Sequence, residues 1–201
     1  MQTQQKEKLL SMRGGYLSIG ITRDGAPAGS IPVPWEKTAH AYAMKLPDVY
    51  LTPGDVSDDS IMDILRESHV VGCYIWTPLE DYRFLSCFTE LRDVSIREGD
   101  GIRDLEFLRP LTECRLLFLQ NAKLQNLDVI LEATQKKGGL WRPFSCVALY
   151  DCTVEDTSRF AAEEHGFSEF LIWQRGGARG QSDYSAIRAN TKRYYDTLST
   201  K

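Results

Sequence analysis

The chain has 201 residues, of which 42% are hydrophobic and 26% charged. That is enough to bury a real core, and it excludes collagen-like, low-complexity and broadly disordered classes. The net charge of −4 is uneven: residues 46–110 hold 14 acids and 6 bases, whereas residues 174–201 hold 6 bases and 2 acids.

Residues 1–13 are rich in Gln and Lys, with Leu9-Leu10 as the one apolar pair. A secretory signal needs about 7–15 apolar residues there. No run reaches the roughly 18–20 apolar residues of a membrane span. Five cysteines without a CxxC pair indicate free thiols in a reducing compartment, so the expectation is a cytoplasmic protein with no membrane contact. Tyr16–Ile21 alternates like a strand, Arg23-Asp-Gly25 signals a turn, and Ser30–Trp35 reads as a second, proline-limited strand. Residues 1–45 are therefore expected to form an N-terminal arm and β cap.

From residue 46 the sequence becomes periodic. Leu91-Arg-Asp-Val94-Ser-Ile96 and Cys114-Arg-Leu-Leu117-Phe-Leu119 share the pattern LxxLxL. Four further copies are anchored on Val49, Cys73, Val147 and Phe170, and successive fourth positions are 24, 21, 23, 30 and 23 residues apart. Between the copies, Asp58, Asp81, Asp104, Asn126 and Asp156 each follow an aliphatic residue by two positions. Side chains of that type hydrogen-bond turn backbone and start return helices. The 30-residue unit has extra length at Glu132–Arg142, expected as a longer helix and a loop.

This sequence resembles the leucine-rich repeat family over about 46–173. Ile102-x-Asp104-Leu105-x-Phe107-Leu108-x-x-Leu111-Thr112-x-Cys114-x-x-Leu117-x-Leu119 is similar to the short bacterial, internalin-type repeat. The position that usually holds Asn is Gly54, Pro78, Gly99, Ala122, Cys152 and Arg175 here, and of these Cys152 fits the family preference. The resemblance implies an α/β solenoid with about six parallel strands on a concave face, occupying 46–175. Such units cannot bury their apolar side alone, and stacking gives them a shared core. After a glycine-rich linker at Arg175–Gln181, Ser182 and Asp183 start a helix over Tyr184–Leu198, within a basic helical tail at 176–201.

In LxxLxL the first, fourth and sixth residues point inward, and the third, fifth and seventh point out. The outward row holds Tyr50, Tyr74, Trp76, Leu116, Phe118, Tyr150, Leu171 and Trp173, with Asp48, Asp93, Arg97 and Glu169 as a polar rim. Contiguous aromatic groups on one face mark a contact surface. The expected partner-binding residues are Tyr50, Tyr74, Trp76, Asp93, Arg97, Phe118, Tyr150 and Trp173. The same row could instead be covered by residues 176–201.

Chemical motifs are sparse. Cys73 and Cys114 fall at inward positions and Cys152 at the ladder position, and Cys146 is the one thiol expected on the outward row. His40, His69 and His165 form no metal-binding spacing. Arg175-Gly-Gly-Ala-Arg-Gly180 reads as a hinge rather than an RNA-binding stretch. There is no P-loop, no dinucleotide GxGxxG and no GxSxG. The expectation is a non-enzymatic protein-interaction module without cofactor, metal or nucleic acid. Two alternatives are an inhibitor or immunity-type protein masking a basic partner, and an enzyme or accessory domain with its site in the cap.

Overall fold

The computed structural model of the chain describes residues 3–20, 47–134, 146–163 and 169–173, with Thr134, Cys146, Ala161 and residues 169–173 in backbone alone. Helix α1 spans Thr3–Ser11 and leads into strand β1, Arg13–Ile19. Then follow β2 (Val49–Leu51), α2 (Pro53–Val56), α3 (Met62–Glu67), β3 (His69–Ile75), β4 (Asp93–Ile96), β5 (Leu116–Gln120), β6 (Lys123–Leu124), α4 (Asp128–Thr134), β7 (Cys146–Tyr150), β8 (Thr153–Val154), α5 (Ser158–Ala162) and β9 (Glu169–Trp173). Short 3-10 turns lie at Asp59–Ile61, Arg83–Cys87 and Glu106–Leu108.

Seven strands form one sheet in the order β2-β1-β3-β4-β5-β7-β9, and every pairing is parallel. The α/β expectation with a parallel sheet therefore holds. The registers also place the fourth positions of the periodic pattern in a single row. Val49 pairs with Leu17, Leu17 with Cys73, Cys73 with Val94, Val94 with Leu117, Leu117 with Val147, and Val147 with Phe170.

The N-terminal β cap is corrected. Tyr16–Ile19 belongs to β1, which is inserted between β2 and β3, so the sheet gains a seventh strand instead of a separate hairpin at its end. The reason is visible in its side chains. Leu17 and Ile19 are 0% exposed and continue the inward rows of Cys73 and Ile75. Gly15 pairs with Val70 across a register shift, so β1 lacks the aliphatic first position that would have marked it as another copy. The second cap strand at Ser30–Trp35, the extra loop after Thr134 and the tail at 176–201 lie outside the described residues.

The core lies on one side of the sheet. Leu17, Cys73, Val94, Leu117 and Val147 are all 0% exposed, and the return segments close over them with Leu65, Phe84, Leu105, Ile130 and Phe160. A fully buried aliphatic or aromatic side chain stabilises by roughly 1.5–3 kcal/mol, so this packing dominates the fold.

The Asp/Asn column has the turn role expected of it. Oδ1 of Asp58, Asp81, Asp104, Asn126 and Asp156 accepts the backbone N–H two residues on, at 2.9, 2.8, 3.0, 3.1 and 2.8 Å. Each return segment thus opens on a satisfied donor. At the ladder position Cys152 is 0% exposed, and its thiol points to the carbonyls of Leu119 (3.3 Å) and Tyr150 (3.4 Å). Just before the ladder positions Ala122 and Cys152, Asn121 and Asp151 take positive φ (63° and 50°), a conformation that Asn and Asp tolerate better than most residues.

At the β2 edge, α1 provides the cover that sequence reading did not foresee. Leu9 is 0% exposed, and Gln5 Nε2 donates to the Tyr50 carbonyl at 2.6 Å. An edge carbonyl that would otherwise invite strand pairing is thereby occupied.

Candidate functional site

The second face of the sheet carries three rows across the strands, each fixed by strand alternation and register. The first row runs Asp48, Tyr16, Gly72, Asp93, Leu116, Cys146, Glu169, with Asp48 placed beside Tyr16 by the hydrogen bond from its own N–H to the Tyr16 carbonyl, 2.7 Å. The second runs Tyr50, Ser18, Tyr74, Ser95, Phe118, Ala148, Leu171. It alternates large and small residues across all seven strands. Neighbouring strands are only about 4.8 Å apart, so a ring finds room by leaning over a small neighbour. The third row, one residue beyond the strand ends on β3 and β4, includes Trp76, Arg97, Gln120, Tyr150 and Trp173.

Arg97 is the centre of this face. Its guanidinium carbon stands 4.2 Å from the Phe118 ring centroid and 5.4 Å from that of Trp76. Both distances suit cation–π attraction, which grows as the site dries. Arg97 is only 8% exposed, and burial lowers its pKa to about 10, which keeps it charged at neutral pH.

A second cluster lies toward the β2 edge and spans β1, β3 and β4. The Tyr16 ring lies across Gly72, where a Cβ would stand 2.3 Å from it, and stacks at 5.5 Å on Tyr74. Its hydroxyl donates to Asp93 Oδ2 at 2.8 Å, and its backbone N–H donates to Asp48 Oδ2 at 2.8 Å. Burial, and then the hydrogen bond to Asp93, push the Tyr16 phenol well above its usual range. The phenol is a fixed donor there, not an acid. Ser18 is 1% exposed and its Oγ has no hydrogen-bond partner among the described residues.

Of the eight expected partner-binding residues, seven are described with side chains, and all seven point to the second face. Tyr74 (6%), Phe118 (4%) and Arg97 (8%) are buried, whereas Tyr50, Trp76, Asp93 and Tyr150 are half-buried. Trp173 is placed by register beside Tyr150, and only its backbone is described. Tyr16 and Ser18 were missed, because the β1 strand was read as part of a separate cap. The alternation of Leu17 and Ile19 was the available signal.

Other chemistry is limited. Cys73, Cys87, Cys114 and Cys152 are buried thiols, and burial raises the pKa of each, that of Cys152 to about 12. Such thiols are protonated and poor nucleophiles. The Cys146 side chain, His40, His165 and cap residues 21–45 lie outside the description. His69 Nδ1 is 2.7 Å from Glu90 Oε1. Among the described residues no group of three or more His, Cys, Asp or Glu could hold a metal ion. No described helix is long and apolar enough to cross a membrane.

A groove of about 720 Å³ lies on the return side, with Val56, Met62, Leu79, Phe84 and Cys87 in its lining. Two of its lining residues form ion pairs: Arg66 with Asp63 at 2.7 Å and Arg83 with Asp81 at 2.5 Å. No family model matches this chain, and neither a curated protein nor a solved structure matches it.

Proposed function

We propose that the chain is a non-enzymatic protein-binding scaffold, stacked in the manner of leucine-rich repeats, and that it offers the second face of its sheet to a polypeptide partner. The six fourth positions share a single row, with Leu17 of β1 inserted in it, and this supports the stacking. The observation that carries the docking reading is Arg97 packed on the Trp76 and Phe118 rings, with Gln120 and then Tyr150 further along the same row. Trp, Tyr and Arg in a dry, rigid setting are the residues that dominate binding energy at interfaces. A scaffold of this kind works by presenting preordered side chains, and it needs no cofactor.

A photo-crosslinking residue in place of Trp76, compared with one in place of Arg83 on the return side, tests this. The expected result is a discrete protein adduct from position 76 in cells and none from position 83. Adducts from position 83 alone would remove the second face from the binding reading.

A narrower reading is an inhibitor or immunity-type protein that masks a basic partner. The 14 acids and 6 bases of residues 46–110 favour it. Its mark would be adduct formation at position 76 that falls steeply with added salt, because exposed charges are screened beyond about 10 Å at 0.1 M ionic strength.

A further inference from the structure

The groove on the return side takes no part in the second-face reading, and its chemistry differs from that face. Its lining comes from two adjacent return segments, residues 53–66 and 78–87. Val56, Met62, Leu79, Phe84 and Cys87 supply the apolar surface, and Val56, Phe84 and Cys87 are buried members of the core. That surface is therefore anchored. Each segment also carries an exposed proline in the lining, Pro53 and Pro78, whose fixed φ stiffens it. The first segment is tied at its start by reciprocal bonds. Thr52 Oγ1 accepts the Asp55 N–H at 3.2 Å, and Asp55 Oδ2 accepts the Thr52 N–H at 2.9 Å. Met62 is the adaptable member. Its Sδ lies 3.5 Å from Cys87 Sγ, and its unbranched chain can follow the shape of what it meets.

Charge selects the kind of occupant. Residues 53–87 hold 7 acids and 2 bases. Both bases are already engaged, Arg66 with Asp63 and Arg83 with Asp81. Asp59 of the first segment and Glu80 of the second also line the groove, both exposed, and neither forms an ion pair among the described residues. Anchored apolar surface between two segments that each carry such a carboxylate favours a cation with an apolar body, and it repels an anion of the same shape. Size selects as well. A volume of about 720 Å³ lies within the roughly 300–1,000 Å³ of small-molecule sites. The 15 lining residues fall short of the roughly 20–30 a side that a stable protein interface uses.

We propose that the return-side groove binds a small organic cation of the alkylammonium class, its apolar body on Val56, Met62, Leu79 and Phe84 and its ammonium at Asp59 and Glu80. This site is separate from the second-face docking surface, so either can fail while the other stands. It also agrees with the absence of a protein adduct expected at position 83, because its occupant is not a polypeptide.

Titration of n-octylammonium chloride into the purified full chain, labelled with methyl-13C methionine, tests the site. The Met62 methyl resonance, identified by its loss in Met62→Leu, should shift saturably. Octanoate, of equal length and opposite charge, should need at least tenfold more ligand for the same shift. Asp59→Asn/Glu80→Gln should raise the octylammonium Kd roughly three- to tenfold, the scale of two exposed ion pairs, and remove most of the preference over octanoate. No saturable shift at Met62, equal responses to the two amphiphiles, or an unchanged Kd in the double variant overturns the proposal. Should the double variant fail to fold, the contrast between octylammonium and octanoate in the unaltered chain decides alone.

Discussion

The two faces of one sheet are built by opposite rules. On the core face the rows are uniform: Leu17, Cys73, Val94, Leu117 and Val147 are all apolar and all 0% exposed. On the second face, two residues away at most, the rows mix Tyr, Trp, Phe and Arg with Ser, Gly and Ala. The core face meets return segments that bring their own aliphatic groups, so filling volume is the sole requirement there. The second face fits rings beside small residues and places a buried cation between two of them. That arrangement is costly unless every group is held, because a desolvated charge needs compensation. Uniform packing gives stability, and the mixed face gives shape and chemical identity to whatever lies on it.

The comparison is tested most severely by adjacent residues of β5. Leu117→Ala removes a core-face side chain and should cost about 2–5 kcal/mol in urea unfolding, by lost burial plus the cavity left behind. Phe118→Ala, one residue on, should cost about 3–5 kcal/mol if the second face is packed like a core. A loss below about 1 kcal/mol at Phe118 would mean an open, solvated face and would break the equivalence of burial on both sides. Tyr150→Ala, half-buried in the same patch, should lie between these limits.

Gly72→Ala sharpens the same contrast at the other end of the sheet. A Cβ at Gly72 would stand 2.3 Å from the Tyr16 ring and force it away. The expected loss is about 1–3 kcal/mol, as for other overpacked sites. The specific readout is the Tyr16 hydroxyl, whose hydrogen bond to Asp93 should be lost while the core row of Cys73 is undisturbed. Recovery in Gly72→Ala/Tyr16→Ala would assign the effect to the ring. Persistence of the loss would assign it to the backbone of β3.

The core face was legible from sequence because it obeys period and identity together. An aliphatic residue at the fourth and sixth positions recurs at Val94/Ile96 and Leu117/Leu119, and both pairs are 0% exposed. The turn column was legible for the same reason, since Asp and Asn are the side chains that bond a backbone N–H two residues on. β1 was not legible as a sheet member. Its Gly14 and Gly15 stand where other copies have an aliphatic residue, and its neighbours in the sheet come from residues 49–51 and 69–75. Pairing between segments that are distant in sequence leaves no periodic trace. The second-face rows were readable as composition, but their burial was not. Outward alternation says which side a residue faces, and tertiary context decides what covers it.

The weakest effects belong to the return side, where the sheet's order is tied down by surface groups. Backbone and side-chain hydrogen bonds around Ser60 lower the Asp58 pKa, and those from Ser158 lower that of Asp156. Hydrogen bonds from Arg109, and then Arg159, hold Glu132 below the usual carboxylate range as it joins residues of successive return segments. A carboxyl group whose pKa is lower folded than unfolded stabilises the fold above its unfolded value, near pH 4, and loses that contribution as pH falls through the folded value. Stability should therefore be flat from pH 7 to about 5 and fall below about pH 4. Asp58→Asn/Asp156→Asn keeps the turn acceptors but removes two titrating groups, so its acid decline should be shallower. Glu132→Gln should cost about 1 kcal/mol or less at pH 7, because the Arg109 and Arg159 side chains it meets are substantially exposed. A larger loss would show that these ion pairs, and not the shared core row, hold neighbouring return segments in register. An acid decline unchanged in the Asn pair would move the pH dependence to the other return-side carboxylates held below their usual range, Asp81 and Glu132.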